Sequence, residues 1–356
     1  MIQTFGSTIR RKEMDAVLTC MVDEKLGPGE LNAKLIQSVK EFTGCDGAVA
    51  FRSPAIAFSY VLKALDLQPG SSVMISALAP SWHYTAVKNL GYEPLVLDVN
   101  EDDGLLSPEA VEEGIKKGGR LLLLHETMGI LPKIEEILSF GIPVIEDISH
   151  SVGASYVFSA AEEDSAAKSE DSGKKAGMAG LYSILGLESN DTITAGGGAV
   201  LIAPKRREWI VLKKFTDAAP ETDILPDMNS ALGFIQLKEF ARNEQARKAL
   251  FAIFQKSLMS GKNKTFARDA ENGSTIWSFP VVLSGSFKDA KQYASRKEIE
   301  IRPAYEKSVI AVLEEMEQAN YIHAKSLFLR TVLFPLYPRL GSESATKIAK
   351  VLGTLP

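Results

Sequence analysis

Short apolar runs alternate with helix-spaced amphipathic stretches through the first two-thirds of the chain. The leucines of 121–124 form one such run, apolar on both faces, as a strand buried inside a parallel sheet must be. Similar runs predict strands over 72–75, 94–97, 142–145, 179–185 and 199–202. Between them, apolar residues at helical spacing predict helices over 55–67, 108–117 and 134–140, the first ended by Gln68-Pro69-Gly70. The expected class is therefore α/β, a mostly parallel sheet covered by helices.

At 356 residues the chain exceeds one ordinary core, so two domains are expected: a large one over 1–238 and a smaller α/β one over 239–356. A single long helix over 230–257 is predicted to lead between them, followed by strands over 275–283 and near 299–302 and a last helix over 342–352. The stretch 160–175 holds small and charged residues with no large apolar side chain, and reads as a mobile insertion.

With 45% hydrophobic and 24% charged residues the chain can bury a sizeable core. Its net charge of -5, with Lys and Arg scattered among acids, lacks the basic footprint of a nucleic-acid binder. Cys20 and Cys45 are too few for a disulfide framework and lack zinc-site spacing. No apolar run reaches membrane-spanning length and no apolar segment follows Arg10-Arg11-Lys12, so a cytoplasmic protein without a membrane partner is expected.

Candidate chemistry gathers after the strand at 142–145, where the chain reads Glu146-Asp147-Ile148-Ser149-His150. Ligands collect at the carboxyl ends of strands in open α/β sheets, although Asp147 capping a turn and a hydrogen-bonded His150 would explain the same residues. His83, His125 and His323 show no metal-ligand spacing, and no metal site is expected. Gly196-Gly197-Gly198 lacks the Lys-Ser/Thr of a phosphate loop and reads as a turn.

The order of several segments adds more. Gly27-Pro28-Gly29, Glu41-Phe42-Thr43-Gly44, Pro80-Ser81-Trp82-His83-Tyr84-Thr85-Ala86 and Leu90-Gly91-Tyr92-Glu93-Pro94 come first, and Glu146-Asp147 through Gly153, Gln236-Leu237 and Phe334-Pro335-Leu336-Tyr337-Pro338 follow. Together they resemble the DegT/StrS family of sugar aminotransferases, which depend on pyridoxal phosphate (PLP), over nearly the whole chain. The resemblance implies a large parallel-sheet domain, a small C-terminal domain and a homodimer with its clefts at the subunit interface. It places Asp147 opposite the pyridinium nitrogen of PLP, Tyr84 stacked on the ring, His150 at the phenolic oxygen and Ser183 on the phosphate.

Two departures matter. Aligning Tyr182-Ser183 with the family's Phe-Ser puts Glu188 at the aldimine lysine, and a glutamate can form no imine. At the phosphate cradle, where the family has a Gly-Thr pair, the chain has Pro54-Ala55 after Ser53, which also reads as a well-made helix start with Ser53 as N-cap. Thr222 replaces an asparagine that the family supplies from the neighbouring subunit. Lys174, Lys175 and Lys205 read as solvated residues, not substitutes for the lost lysine. Covalent PLP is therefore not expected, and PLP or pyridoxamine phosphate could bind only non-covalently. Three readings stay open: a relative that binds a nucleotide sugar or PLP-like ligand, a dehydratase or transferase using non-covalent cofactor with Glu188 as base, and a structural or regulatory dimer.

Overall fold

The computed structural model describes residues 1–6, 8–158, 173–268 and 273–356. Its main sheet contains β1 (Gly47–Phe51), β2 (Ser72–Ser76), β3 (Glu93–Leu97), β4 (Gly119–His125) and β5 (Val144–Asp147), and β8 (Tyr182–Gly186) and β9 (Ala199–Ala203) complete it. The order is β1-β9-β8-β5-β4-β2-β3, and only β9 runs against the rest. Between β5 and β8, the short strands β6 (Ser155–Val157) and β7 (Gly173–Lys175) pair antiparallel. The expected insertion over 160–175 is thus corrected at its end, where Lys174 and Lys175 lie in β7; the part up to 172 falls outside the described residues. A separate sheet is ordered β10 (Phe279–Val282), β12 (Thr331–Phe334) and β11 (Arg302–Pro303).

Strand alternation fills two cores from one sequence run. Leu121 and Leu123 face one side of the main sheet with Val73, Ile75 and Ile145, while Leu122 and Leu124 face the other with Met74 and Val144. All of these side chains are buried, and each leucine so enclosed contributes about 1.5–3 kcal/mol. A third core joins Leu250 and Phe254 to Phe279, Phe334 and Ile348 on the smaller sheet.

The helices follow the periodicity with one break. They begin with α1 (Arg11–Val22), α2 (Glu30–Thr43), α3 (Pro54–Leu65), α4 (Trp82–Asn89), α5 (Pro108–Lys116), α6 (Ile134–Ser139) and α7 (Arg206–Thr216). The single helix expected over 230–257 is two, α8 (Asp227–Lys238) and α9 (Phe240–Leu258), which part at Glu239. Glu239 has φ -91° and ψ 3°, outside the helical well, and its carboxylate ties Lys12 and Arg242 at the corner. The last helix, Ser342–Leu352, lies where the pattern put it.

Candidate functional site

The carboxyl ends of β2, β4, β5 and β8 and the start of α3 surround a cleft of about 310 Å³. Its wall includes Pro54, Trp82, His125, Thr127, Ser149 and His150. The 188–191 segment after β8 and the 303–308 segment of the smaller sheet close it. A second cavity of about 300 Å³ adjoins it, and the two share Phe5, Ser189, Asn190, Asp191 and Trp277.

Asp147 ends β5 beneath the cleft floor, fully buried and not part of the lining. Its Oδ2 meets His83 Nε2 at 2.8 Å and His125 Nδ1 at 2.9 Å. Its Oδ1 accepts the Ser149 backbone N–H at 3.1 Å and the Ser149 hydroxyl at 2.5 Å. Burial alone would push this carboxyl up, but the charge and hydrogen bonds of His125, then those of His83, hold it well below the usual carboxylate range. Both oxygens are thus engaged by the chain itself. The carboxylate expected to face a pyridinium nitrogen faces two imidazoles.

His83 and His125, which sequence spacing left as isolated polar groups, converge here because α4 and the end of β4 both abut β5 or its floor. Burial lowers the His83 pKa against the pull of Asp147, and its Nδ1 is buried without a hydrogen-bond partner. The three donor atoms lie within 4.8 Å of one another, a two-histidine, one-carboxylate set of a kind that can take a divalent transition metal. Here each nitrogen bonds the carboxylate directly, and His83 Nδ1 lacks the acceptor that steadies a ligating histidine. His125 itself lines the cleft with its ring fixed by Asp147, the geometry of an oriented imidazole that can exchange a proton with a bound molecule.

His150 lines the cleft with its imidazole stacked on Trp277, centroids 3.7 Å apart and planes at 15°. Burial, then the neighbouring His125, drives its pKa well below the ordinary value, so the ring is neutral at pH 7. The Trp277 indole N–H donates to the Asn190 carbonyl at 2.6 Å and so clamps the 188–191 segment against the stack.

The other expected contacts differ from the resemblance. Tyr84 is absent from the cleft lining and meets Lys88 on the outer side of α4, whereas Trp82, two residues earlier, forms the wall. Positions two apart on a helix point roughly 200° apart, so Tyr84 cannot share that wall. Ser183 is fully buried in β8, its Oγ without a hydrogen-bond partner and close to Gly177. It pairs in register with Glu146, on the far side from the cleft, where the Glu146 carboxylate gathers the N–H groups of Gly177, Ala179 and Gly180. Ser53 Oγ caps α3 by accepting the Ile56 N–H at 3.2 Å, Pro54 occupies the first helical turn and lines the cleft, and Ala55 does not line it. Thr222, Lys174, Lys175 and Lys205 are also away from it.

Glu188 lines the cleft and is solvent-exposed, not the buried carboxyl that a glutamate base at this position would need. Asp191, three residues on, is the carboxyl enclosed at the junction of the two cavities. Burial, then the charges of Asp147 and Glu188, push its pKa up to about 8, although its Oδ2 accepts the Glu188 N–H at 2.8 Å. A Cβ on Gly186 would lie 2.5 Å from Ser149 Oγ and 2.6 Å from Asp191 Oδ2, so glycine there permits the close approach. Sequence reasoning missed Asp191, Trp277, Tyr305, Glu306 and Lys307. The Ser-Asn-Asp polarity after a buried strand was the signal available for Asp191; the other four come from distant segments.

A model of the DegT/DnrJ/EryC1/StrS aminotransferase family matches residues 7–353. Among solved structures, Spr1654 of Streptococcus pneumoniae in its PLP form is similar with a TM-score of 0.85 and 16% identity, over 98% of this chain and 96% of that one. The GDP-4-keto-6-deoxymannose-3-dehydratase ColD, solved as a mutant with bound GDP-perosamine, gives 0.83 and 16% over 99% and 100%. The sugar aminotransferase CalS13 of Micromonospora echinospora gives 0.83 and 14% over 99% and 100%. Among the described residues no helix is long and apolar enough to cross a membrane.

Proposed function

We propose, from the premise that the chain belongs to the DegT/DnrJ/EryC1/StrS aminotransferase family, that its cleft binds a small molecule without forming an aldimine with PLP. The observation that carries this reading is the engagement of Asp147, whose two oxygens are taken by His83, His125 and Ser149 beneath a floor that includes His125. A pyridinium nitrogen would have to displace one of the two buried histidines from Oδ2 or the Ser149 hydroxyl from Oδ1 to reach it, leaving that group without its partner. Exposed Glu188 in place of the lysine, Ser183 turned toward Gly177 and Pro54 without an N–H remove the other contacts that PLP would need. The residues present do not fit the cofactor in the manner of the family.

Absorption spectroscopy checks this. Full-length protein incubated with PLP is expected to show no visible aldimine band and no adduct after borohydride, while calorimetry with pyridoxamine phosphate shows no saturable heat. A borohydride-sensitive band at one equivalent would overturn the reading, and peptide mapping would show whether the adduct sits on Lys307 at the cleft wall.

The homodimer belongs to the same proposal. Helix α1 turns Glu13 and Cys20 inward and leaves Met14, Leu18, Met21 and Val22 at 55–73% exposure, an inverted amphipathic helix whose outer stripe a second copy can cover. Replacing Leu18 and Met21 together with glutamate is expected to weaken self-association by roughly 100-fold in sedimentation equilibrium. An unchanged mass distribution would remove α1 from the interface.

A further inference from the structure

We infer that the second cavity, beside the cleft, takes a small monocarboxylate with an apolar body, its carboxylate held at Arg247. The inference goes beyond the ligand-binding reading of the cleft and does not rest on it.

Helix α9 brings Arg247 to the wall of this cavity of about 300 Å³. Arg247 is 4% exposed, and its Nη2 donates at 3.0 Å to the carbonyl of Thr192, itself part of the lining, so the guanidinium end stands at the wall. Its Nη1 is buried without a hydrogen-bond partner. Glu244, the acid facing it, lies 3.8 Å from Nη1, beyond hydrogen-bonding distance, and its Oε1 accepts the Ile276 N–H at 2.8 Å. That one carboxylate also stands 3.9 Å from Lys248 and in the field of Arg268, so three cations share it. Burial pulls the Arg247 pKa down against the pull of Glu244, as for a guanidinium short of partners, yet an arginine stays charged at pH 7.

Among the described residues that line the cavity, Asp191 is the other acidic or basic side chain, and its carboxyl, pushed up to about 8, is mostly uncharged at pH 7. The field inside is therefore positive and comes from one centre. One centre suits a single negative charge better than a phosphate dianion, because backbone N–H groups that could cradle a phosphate are engaged within the chain. Asp191, Thr192 and Gly196 donate theirs to the Glu188 carbonyl, the Ser149 carbonyl and Thr194 Oγ1. A guanidinium fork matches the two oxygens of a carboxylate. Phe5, Ile9, Leu232, Trp277 and Leu336 supply an apolar wall for the body of the ligand, and the volume is at the small end of ligand sites.

Calorimetry at pH 7 with three probes tests the inference: hydrocinnamate, its uncharged amide, and phenyl phosphate. The acid is expected to bind about ten-fold tighter than the amide. Arg247→Met, checked for folding by circular dichroism, is expected to bind acid and amide within about two-fold of each other. Where that variant fails to fold, Arg247→Lys, which keeps the charge and loses the fork, is expected to cut the preference several-fold. Equal affinity of the wild type for acid and amide, tighter binding of phenyl phosphate, no binding of the acid, or a preference that survives either Arg247 variant undiminished overturns the inference. Loss of the preference in Lys307→Gln also overturns it, by placing the carboxylate in the cleft.

Discussion

A Glu188→Lys variant mixed with PLP is expected to show no internal-aldimine band and no stoichiometric adduct after borohydride. Glu188 is exposed on the cleft wall, so the substitution restores an amine without disturbing the core. The amine alone supplies neither of the other anchors. Asp147 remains engaged by His83, His125 and Ser149, and the phosphate end meets Pro54, which has no N–H, while the Ser183 hydroxyl stays beside Gly177. Each missing charge-assisted hydrogen bond removes about 1.5–3 kcal/mol, so losing two or three weakens micromolar binding to about 0.2 mM or beyond. A yellow variant with one trapped PLP per chain would show that the Asp147 pair opens readily.

The second large effect is on stability. Asp147→Asn is expected to cost about 3 kcal/mol, read as a lower urea midpoint with an unchanged slope, because it leaves two buried imidazoles facing an amide in place of a carboxylate. The pH dependence follows from the same group. Its folded pKa lies below the unfolded value of about 3.9, so on acidification the unfolded chain binds the proton first. The stability that Asp147 contributes is complete above about pH 5 and is lost as pH falls through the unfolded value toward the folded one. The variant should therefore lose less stability than the wild type between about pH 5 and pH 3. An Asn variant as stable as the parent would mean that the histidines hold no ionised carboxylate.

The sheet was legible because burial on both faces leaves a mark in sequence. Leu121 to Leu124 could not be exposed on either side, and the two cores divide them alternately. Asp147 and His150 were also legible, since both follow a buried strand at its carboxyl end, where ligands gather. The partners of Asp147 were not. His83 lies 64 residues and His125 22 residues from Asp147, and no local period records that they meet it. Tyr84 failed on helical phase: the resemblance picked an aromatic residue in the right segment, and α4 turns Trp82 to the cleft in its place. Ser183 failed on strand phase, one residue deciding which face of β8 a hydroxyl occupies. Glu188, which alignment places at the aldimine lysine, lines the cleft wall, yet the enclosed carboxyl is Asp191, because the turn after β8 brings its Oδ2 close to Gly186.

Glu188 is thus one of several positions that depart from the expected contacts: Asp147 bonds His83, His125 and Ser149, Tyr84 meets Lys88, and the Ser183 hydroxyl lies beside Gly177. A crystal structure of the protein grown with excess pyridoxamine phosphate tests this most directly, since that ligand needs no lysine. His83 Nε2 and His125 Nδ1 are expected to remain bonded to Asp147 Oδ2, with no pyridine ring above them. A ring nitrogen within hydrogen-bonding distance of Asp147, with either histidine swung away, would contradict it.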